Sequence, residues 1–356
     1  MKKLIAIFVG ILVVCAVITG INYQMNAKTT ANEKKVLNIY NWGDYIDPAL
    51  ITKFEKETGY HVVYETFDSN EAMLTKIKQG GTSYDLAVPS DYTVQRMIKS
   101  GLVAKIDKTK LSNYHNLDSR FLNLSFDPNN DYSVPYFWGT LGIVYNDQYV
   151  KASQVQHWEQ LWNPAFKQSI MLTDSARDML GIALITQGHG MNDTDETDLK
   201  NAQTKLKQLM PNVKAIVADE IKMYMKQNEA KIAVTYSGEA AEMMSYNHHL
   251  HYVVPTEGSN MWFDNMVIPK TAKHKVAAYA FINFMLSPKN AAQNAEYIGY
   301  STPNKAAMKY LPTSVQQDKQ FYPTESTVAH LEVYQDLPLK VIGNYNDLFL
   351  GFKMSK

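Results

Sequence analysis

The sequence predicts an α/β protein in which a mostly parallel sheet is flanked by helices. Between Val36 and Lys99, three stretches with strand character alternate with three of helical character. The same alternation returns between Ser169 and Tyr236. A chain of 356 residues, with 46% hydrophobic and 20% charged residues, is long enough for about two domains with substantial cores.

The elements follow in order. Val36–Asn41 reads as a strand and Pro48–Thr58 as a helix, with proline in its first turn and Gly59 at its end. His61–Thr66 is a strand. Asp68-Ser69-Asn70-Glu71 has the form of an N-cap and opens a helix that runs to Gln79, where Gly80-Gly81 stops it. Asp85–Pro89 is a strand and Tyr92–Lys99 a helix. In the middle, strands at 169–173, 214–218 and 232–236 alternate with helices near 176–187, 197–210 and 221–227. A strand at Trp262–Ile268 and an apolar helix at Val276–Leu286 follow. No repeat, low-complexity tract or clean linker separates two halves. A chain with two lobes would therefore cross between them more than once.

Lys plus Arg and Asp plus Glu number 35 each, which argues against a nucleic-acid partner, whose binders usually carry a basic excess. No G-x-S-x-G, H-E-x-x-H or phosphate-cradling G-x-x-x-x-G-K-[ST] occurs. The one cysteine, Cys15, excludes an intrachain disulfide. Of His248, His249 and His251, only the last two share a face on a strand. No metal, cofactor or covalent chemistry is expected.

Met1-Lys2-Lys3 precedes an uncharged apolar run of 18 residues, Leu4–Ile21, and a polar linker ends at Lys35. This start reads as an uncleaved anchor, a cleaved export signal or a lipidation signal, each placing the body outside the cytoplasm. Leu12-Val13-Val14-Cys15 resembles a lipidation box with Cys15 as its acceptor, although Val14 stands where a small residue is usual.

Several stretches join an aromatic ring to a small polar or acidic residue. Four follow strands: Tyr40–Tyr45, Pro89–Tyr92, Asp174–Asp178 and Tyr236–Glu239. Gly299–Pro303 follows a helix. In open α/β sheets ligands bind beyond the carboxyl ends of strands. Singly, each stretch has a plainer reading: Asp91 and Asp174 as helix caps, Asp178 as a surface charge, Tyr236 and the tryptophans as core. Their convergence favours a binding site, because a cap needs no flanking ring. In S-N-M-W-F-D-N-M-V-I-P (259–269), strand alternation puts Trp262 and Asp264 on one face, with Phe263 and Asn265 on the other. A carboxylate among rings is expensive to bury unpaired. Rings attract cations by about 0.5 to 2 kcal/mol each and also pack along methylene chains. Carboxylates pair with ammonium groups. Together they describe a box for an extended alkyl polycation, a polyamine. A neutral sugar would use the rings and leave the carboxylates idle.

Y-N-W-G-D-Y-I (40–46), Y-E-T-F-D-S-N-E-A-M (64–73), Y-D-L-A-V-P-S-D-Y (84–92), F-D-P-N-N-D-Y-S-V-P-Y-F-W-G-T (126–140), W-F-D-N-M-V-I-P (262–269) and I-G-Y-S-T-P-N (298–304) resemble, in this order, the polyamine-binding proteins of spermidine/putrescine ABC importers. The likeness runs from about Val36 almost to the C-terminus. It implies a two-lobed, periplasmic-binding-protein-like (type II) fold that closes on its ligand by a hinge. The expected lobes are 36–138 with 264–305, and 139–263 with 306–356, after an anchor at 1–22 and a linker at 23–35. It also implies a monomer serving a membrane permease and ATPase.

By matching position, Trp42, Tyr45, Ser90, Tyr92, Asp178, Tyr236, Trp262, Asp264 and Tyr300 would line the pocket. Asp178 falls where the family has an acidic residue, and Tyr236 where a tryptophan is common. Gly43 replaces a hydroxyl residue, Ser175 stands where an acid often lies, and Tyr334 lies near a glutamine position. Asp44 and Glu332 are further candidates, with either Glu239 or Glu332 as a compensating charge. Three rivals remain at this stage. A receptor for amino acids or a choline-like ammonium is one, but among these stretches only Arg177 would meet a ligand carboxylate. An amine-processing enzyme would need a cofactor or nucleophile. A transmembrane sensor would need more inside the cell than Met1–Lys3.

Overall fold

The computed structural model describes residues 35–218 and 220–355. The expected anchor, most of the linker and Cys15 lie outside them. Ten strands form one sheet: β1 Val36–Trp42, β2 His61–Phe67, β3 Leu86–Ala87, β4 Ser133–Asn146, β5 Ile170–Thr173, β6 Val213–Val217, β7 Ile232–Tyr236, β8 Leu250–Val253, β9 Ser259–Val267 and β10 Leu331–Glu332. The order is β2-β1-β3-β9-β4-β7-β5-β6, with β10 on β9 and β8 on β4.

The anticipated first half is present. Asp47 caps the Pro48–Thr58 helix through Ala49 N, and Gly59 ends it at φ 72°. Ser69 caps the Asn70–Gln79 helix through Ala72 N. The sheet is parallel toward its edges, where β1 pairs with β2 and β3, and β5 with β6 and β7, and in the two-residue pair of β10 with β9. At the centre β4 and β9 run antiparallel to one another, and each is antiparallel to its outer neighbour. The expectation of a mostly parallel sheet fails there because these two strands cross from one lobe to the other.

Sequence reading passed over β4, the longest strand, whose residues are all buried. It carries Pro135 and two glycines, which ordinarily demote a strand. Here Pro135 sits at a register irregularity. At Gly139 a Cβ would stand 2.4 Å from the Trp262 ring, and at Gly142 2.4 Å from Tyr252, so close approach of large rings requires both glycines.

Two cores cover the two faces of each lobe. In the first lobe Leu37, Leu50, Phe54 and Phe281 fill one face, and Tyr84, Trp138 and Phe263 the other. In the second, Trp158, Leu180 and Phe349 fill one face, and Ile221, Met243 and Tyr252 the other. The C-terminal helix Leu339–Lys353, not anticipated, closes the second lobe. Residues 306–322 differ from the expected division. Ala307 and Leu311 are buried in the first lobe's core, and Tyr322 packs against it. On β9, Met261 and Phe263 likewise belong to the first-lobe core. A further crossing runs through β10 to Tyr334 and Leu337, which are buried in the second lobe. Between them and the first lobe, Asp336 accepts from Arg96 Nε at 2.8 Å and Lys99 Nζ at 3.1 Å.

Candidate ligand-binding site

β9 places the site's first carboxylate. Phe263 turns into the core, while Trp262 and Asp264 face the other way, as strand alternation requires. Asp264 is 6% exposed. Its Oδ2 accepts from the Tyr45 hydroxyl at 2.5 Å and its Oδ1 from the Ser90 hydroxyl at 2.7 Å. Burial pushes its carboxyl up to about 6, although both hydroxyls favour the charged form. Asn70 organises this corner, donating from Nδ2 to Ser90 Oγ at 3.0 Å and to the Tyr92 hydroxyl at 2.9 Å.

A second carboxylate is built the same way on the other lobe. Asp178, 2% exposed, sits in the first turn of the Ala176–Thr186 helix. Its Oδ2 accepts from the Tyr236 hydroxyl at 2.6 Å and its Oδ1 from the Tyr334 hydroxyl at 2.7 Å. Ser175 caps that helix through Asp178 N, so it supports the acid from the position where the family often has another acid. Asp174 is not the cap; it pairs with Lys353.

Rings connect the two carboxylates. Tyr236 meets Trp262 edge-to-face at 6.3 Å, Trp262 meets Tyr300 at 5.2 Å, and Tyr300 meets Tyr45 at 5.5 Å. The path thus runs from Asp178 through four rings to Asp264. Trp262 Nε1 is buried and makes no hydrogen bond to protein. Helix Ser237–Tyr246 brings Gly238 against the Tyr300 ring, where a Cβ would lie 1.6 Å from a ring carbon.

The structure thus brings Tyr45, Ser90, Asp178, Tyr236, Trp262, Asp264 and Tyr300 into one linked set, with Tyr334 added through Asp178. Tyr92 joins through Asn70. Trp42 packs on Phe67 at 4.5 Å, and Gly43 and Asp44 form the exposed turn after it. Glu332 has other partners: it accepts from Met191 N at 3.1 Å and fastens the 190–192 loop. Glu239 accepts from Thr235 Oγ1. Sequence reading missed Asn70, which lies within the 64–73 stretch, and Asp91, taken above as a cap. Asp91 is 1% exposed, and its Oδ2 accepts from Phe263 N at 3.1 Å.

His249 and His251 both close on Asp147, at 2.9 Å each. Elsewhere His189, Asp193 and Asp198 each offer a ligand atom within 4.8 Å of the others; His189 lies 3.3 and 3.4 Å from the two acids, an ordinary ion-pair geometry.

A family model described as bacterial extracellular solute-binding protein matches residues 49–323. This chain belongs to that family. A spermidine/putrescine-binding periplasmic protein of Salmonella typhimurium is 42% identical over 308 residues, covering 86% of this chain and 88% of its own. The putrescine-binding periplasmic protein PotF of Escherichia coli is 31% identical over 333 residues, covering 88% and 90%. The crystal structure of the spermidine/putrescine ABC transporter substrate-binding protein PotD from Streptococcus pneumoniae superposes with a TM-score of 0.84 at 56% identity, covering 90% of this chain and 99% of that one. The fold is therefore the two-lobed one of solute-binding proteins. Among the described residues no helix is long and apolar enough to cross a membrane.

The hydroxyl pair on Asp178 yields a direct expectation. A hydrogen bond to a charged group contributes about 1.5 to 3 kcal/mol. Tyr334→Phe removes one donor and keeps the ring under the Arg177 guanidinium, 4.3 Å away. The variant should keep its fold but lose stability on that order, read as a lower midpoint in urea unfolding.

Proposed function

We propose that this protein is an extracytoplasmic receptor that captures a polyamine and delivers it to a membrane ABC importer. One observation carries the reading. Two buried carboxylates, one on each lobe, each receive two hydroxyl donors, and a path of aromatic rings joins them. Ammonium groups match the acids and methylenes match the rings. Contacts from both lobes let the ligand favour a closed form. Trp42, Tyr45, Ser90, Tyr92, Asp178, Tyr236, Trp262, Asp264 and Tyr300 are assigned to the pocket. The relatives' names support polyamine as the solute class. The apolar N-terminal run would tether the receptor, as an anchor or through Cys15, beside the permease and ATPase. The receptor performs no covalent chemistry on its ligand.

The deciding experiment is calorimetric titration of the full chain with putrescine, spermidine and spermine, with lysine as control. One-to-one binding of at least one polyamine, with none of lysine, is expected. A folded protein giving no heat with any of them would end the reading.

The affinity should also depend on pH. Asp264 titrates near 6 in the fold against 3.8 in the unfolded chain. The folded state therefore binds more protons in that window, and stability falls as pH rises through it, by roughly 3 kcal/mol in all. An arriving ammonium offsets that loss only when the carboxylate is charged. Affinity should thus drop as pH is lowered through about 6, by up to about tenfold per pH step of one. Titrations from pH 5 to 8 check this.

A further inference from the structure

Among the described residues, the buried Asp91 carboxylate has two hydrogen-bond donors, both backbone amides. Its Oδ1 accepts from Tyr92 N at 2.6 Å, as an acid in the first turn of a helix often does. A helix terminus does not explain the other oxygen, which reaches across to β9 and accepts from Phe263 N. The geometry of the neighbouring ladder does. β3 pairs with β9 at Ala87 and Val267. One step on, Asn265 N donates to Pro89 O at 2.9 Å, and Ser90 bridges to Asp264. The chain then turns into the Asp91–Lys99 helix, and its backbone leaves the sheet. Phe263 N is the next donor of β9 on that side, since alternate residues of a strand point their amides the same way. Left unpaired in a buried strand it would be destabilising. Asp91 supplies the missing rung from its side chain.

The rung falls between Trp262 and Asp264. We propose that Asp91 is a positioning residue of the polyamine site: by accepting from Phe263 N beyond the end of β3, it fixes the backbone that aims the Trp262 ring and the Asp264 carboxylate. This rests on the polyamine reading for the ligand, but the rung itself does not. Burial pushes the Asp91 carboxyl up to about 8, while the backbone hydrogen bonds from Tyr92 N and Phe263 N pull it back down. Both oxygens act as acceptors, which works against the effect of burial and favours the charged carboxylate.

The test uses the full chain. Calorimetry with whichever polyamine the unaltered protein binds is paired with hydrogen exchange resolved at the Phe263 amide. Asp91→Ala should weaken binding at least tenfold and speed Phe263 exchange at least tenfold. Asp91→Asn keeps one acceptor oxygen, enough for Phe263 N but not for Tyr92 N as well, so it should bind more tightly than Asp91→Ala and exchange Phe263 more slowly. Three outcomes would each overturn the proposal: Ala binding as tightly as the unaltered protein, Asn binding as weakly as Ala, or Phe263 exchanging in the unaltered protein as fast as an exposed amide. The last needs no variant, so a failure of Asp91→Ala to fold does not protect the idea. If the unaltered protein binds no polyamine, the functional reading fails, while the exchange measurement still decides whether the rung exists.

Discussion

Asp264→Asn should abolish most polyamine binding while leaving the unliganded protein as stable as before, or more so above pH 6. The carboxylate is held at 6% exposure by two hydroxyls, one from the turn after β1 and one from the residue that caps the Asp91–Lys99 helix. Removing one member of a buried, hydrogen-bonded charge pair weakens binding by about 2 to 5 kcal/mol, because the partner's charge stays desolvated. That corresponds to roughly thirtyfold to several thousandfold in Kd. The opposite sign for the unliganded fold follows from the raised carboxyl: asparagine fills the same space without a charge to desolvate. Asparagine should also flatten the dependence of affinity on pH near 6. Calorimetry and thermal unfolding at pH 5 and 8 measure all three. Ordinary affinity in this variant would show that the ligand's charge is met elsewhere.

Gly238→Ala should weaken binding at least a hundredfold without unfolding either lobe. Gly238 belongs to the Ser237–Tyr246 helix, whose Ala240 and Met243 lie in the second lobe's core. The Tyr300 ring packs with the first lobe's core. The contact between them is therefore one between lobes, and a methyl group would overlap the ring at 1.6 Å. Tyr300 cannot yield easily, since it meets both Trp262 and Tyr45 edge-to-face. With each lobe's core untouched, the strain falls on closure and on the ring path. Small-angle scattering should show little compaction on adding ligand, and the melting temperature without ligand should change by no more than a few degrees. A variant that compacts and binds normally would mean the lobes can close with Tyr300 displaced.

Much of the first lobe was legible because its signals are local. Asp47 and Ser69 sit before their helices, Gly59 and Gly80 after them, and each cap is used as its spacing implies. The alternation in Trp262-Phe263-Asp264-Asn265 told that Trp262 and Asp264 share one face, opposite Phe263, since a strand of known phase has no other option. Asp264, Asp178 and the rings around them were named from residue type, position after strands and family resemblance. Tyr236 and Tyr334 were legible only as tyrosines at or near positions where the family has a tryptophan and a glutamine.

Other features depended on which segments meet in space. β4 carries the marks of a poor strand because its glycines answer to neighbours more than a hundred residues away, Trp262 and Tyr252. The placement of 306–322 with the first lobe depends on Ala307 and Leu311 finding a core that their own sequence does not announce. Glu332 carries a charge suited to an amine, yet it is occupied by Met191 N. Asp91 reads as a helix acid, and only the end of β3 beside β9 gives its second oxygen a strand amide to hold. Sequence determined the first-lobe elements and the shared face of Trp262 and Asp264 on β9, because those follow from neighbours along the chain. Tertiary structure alone decided the hydroxyls on each acid, the crossing strands and the glycine under Tyr300, because hydrogen bonds and close packing depend on distances between remote segments.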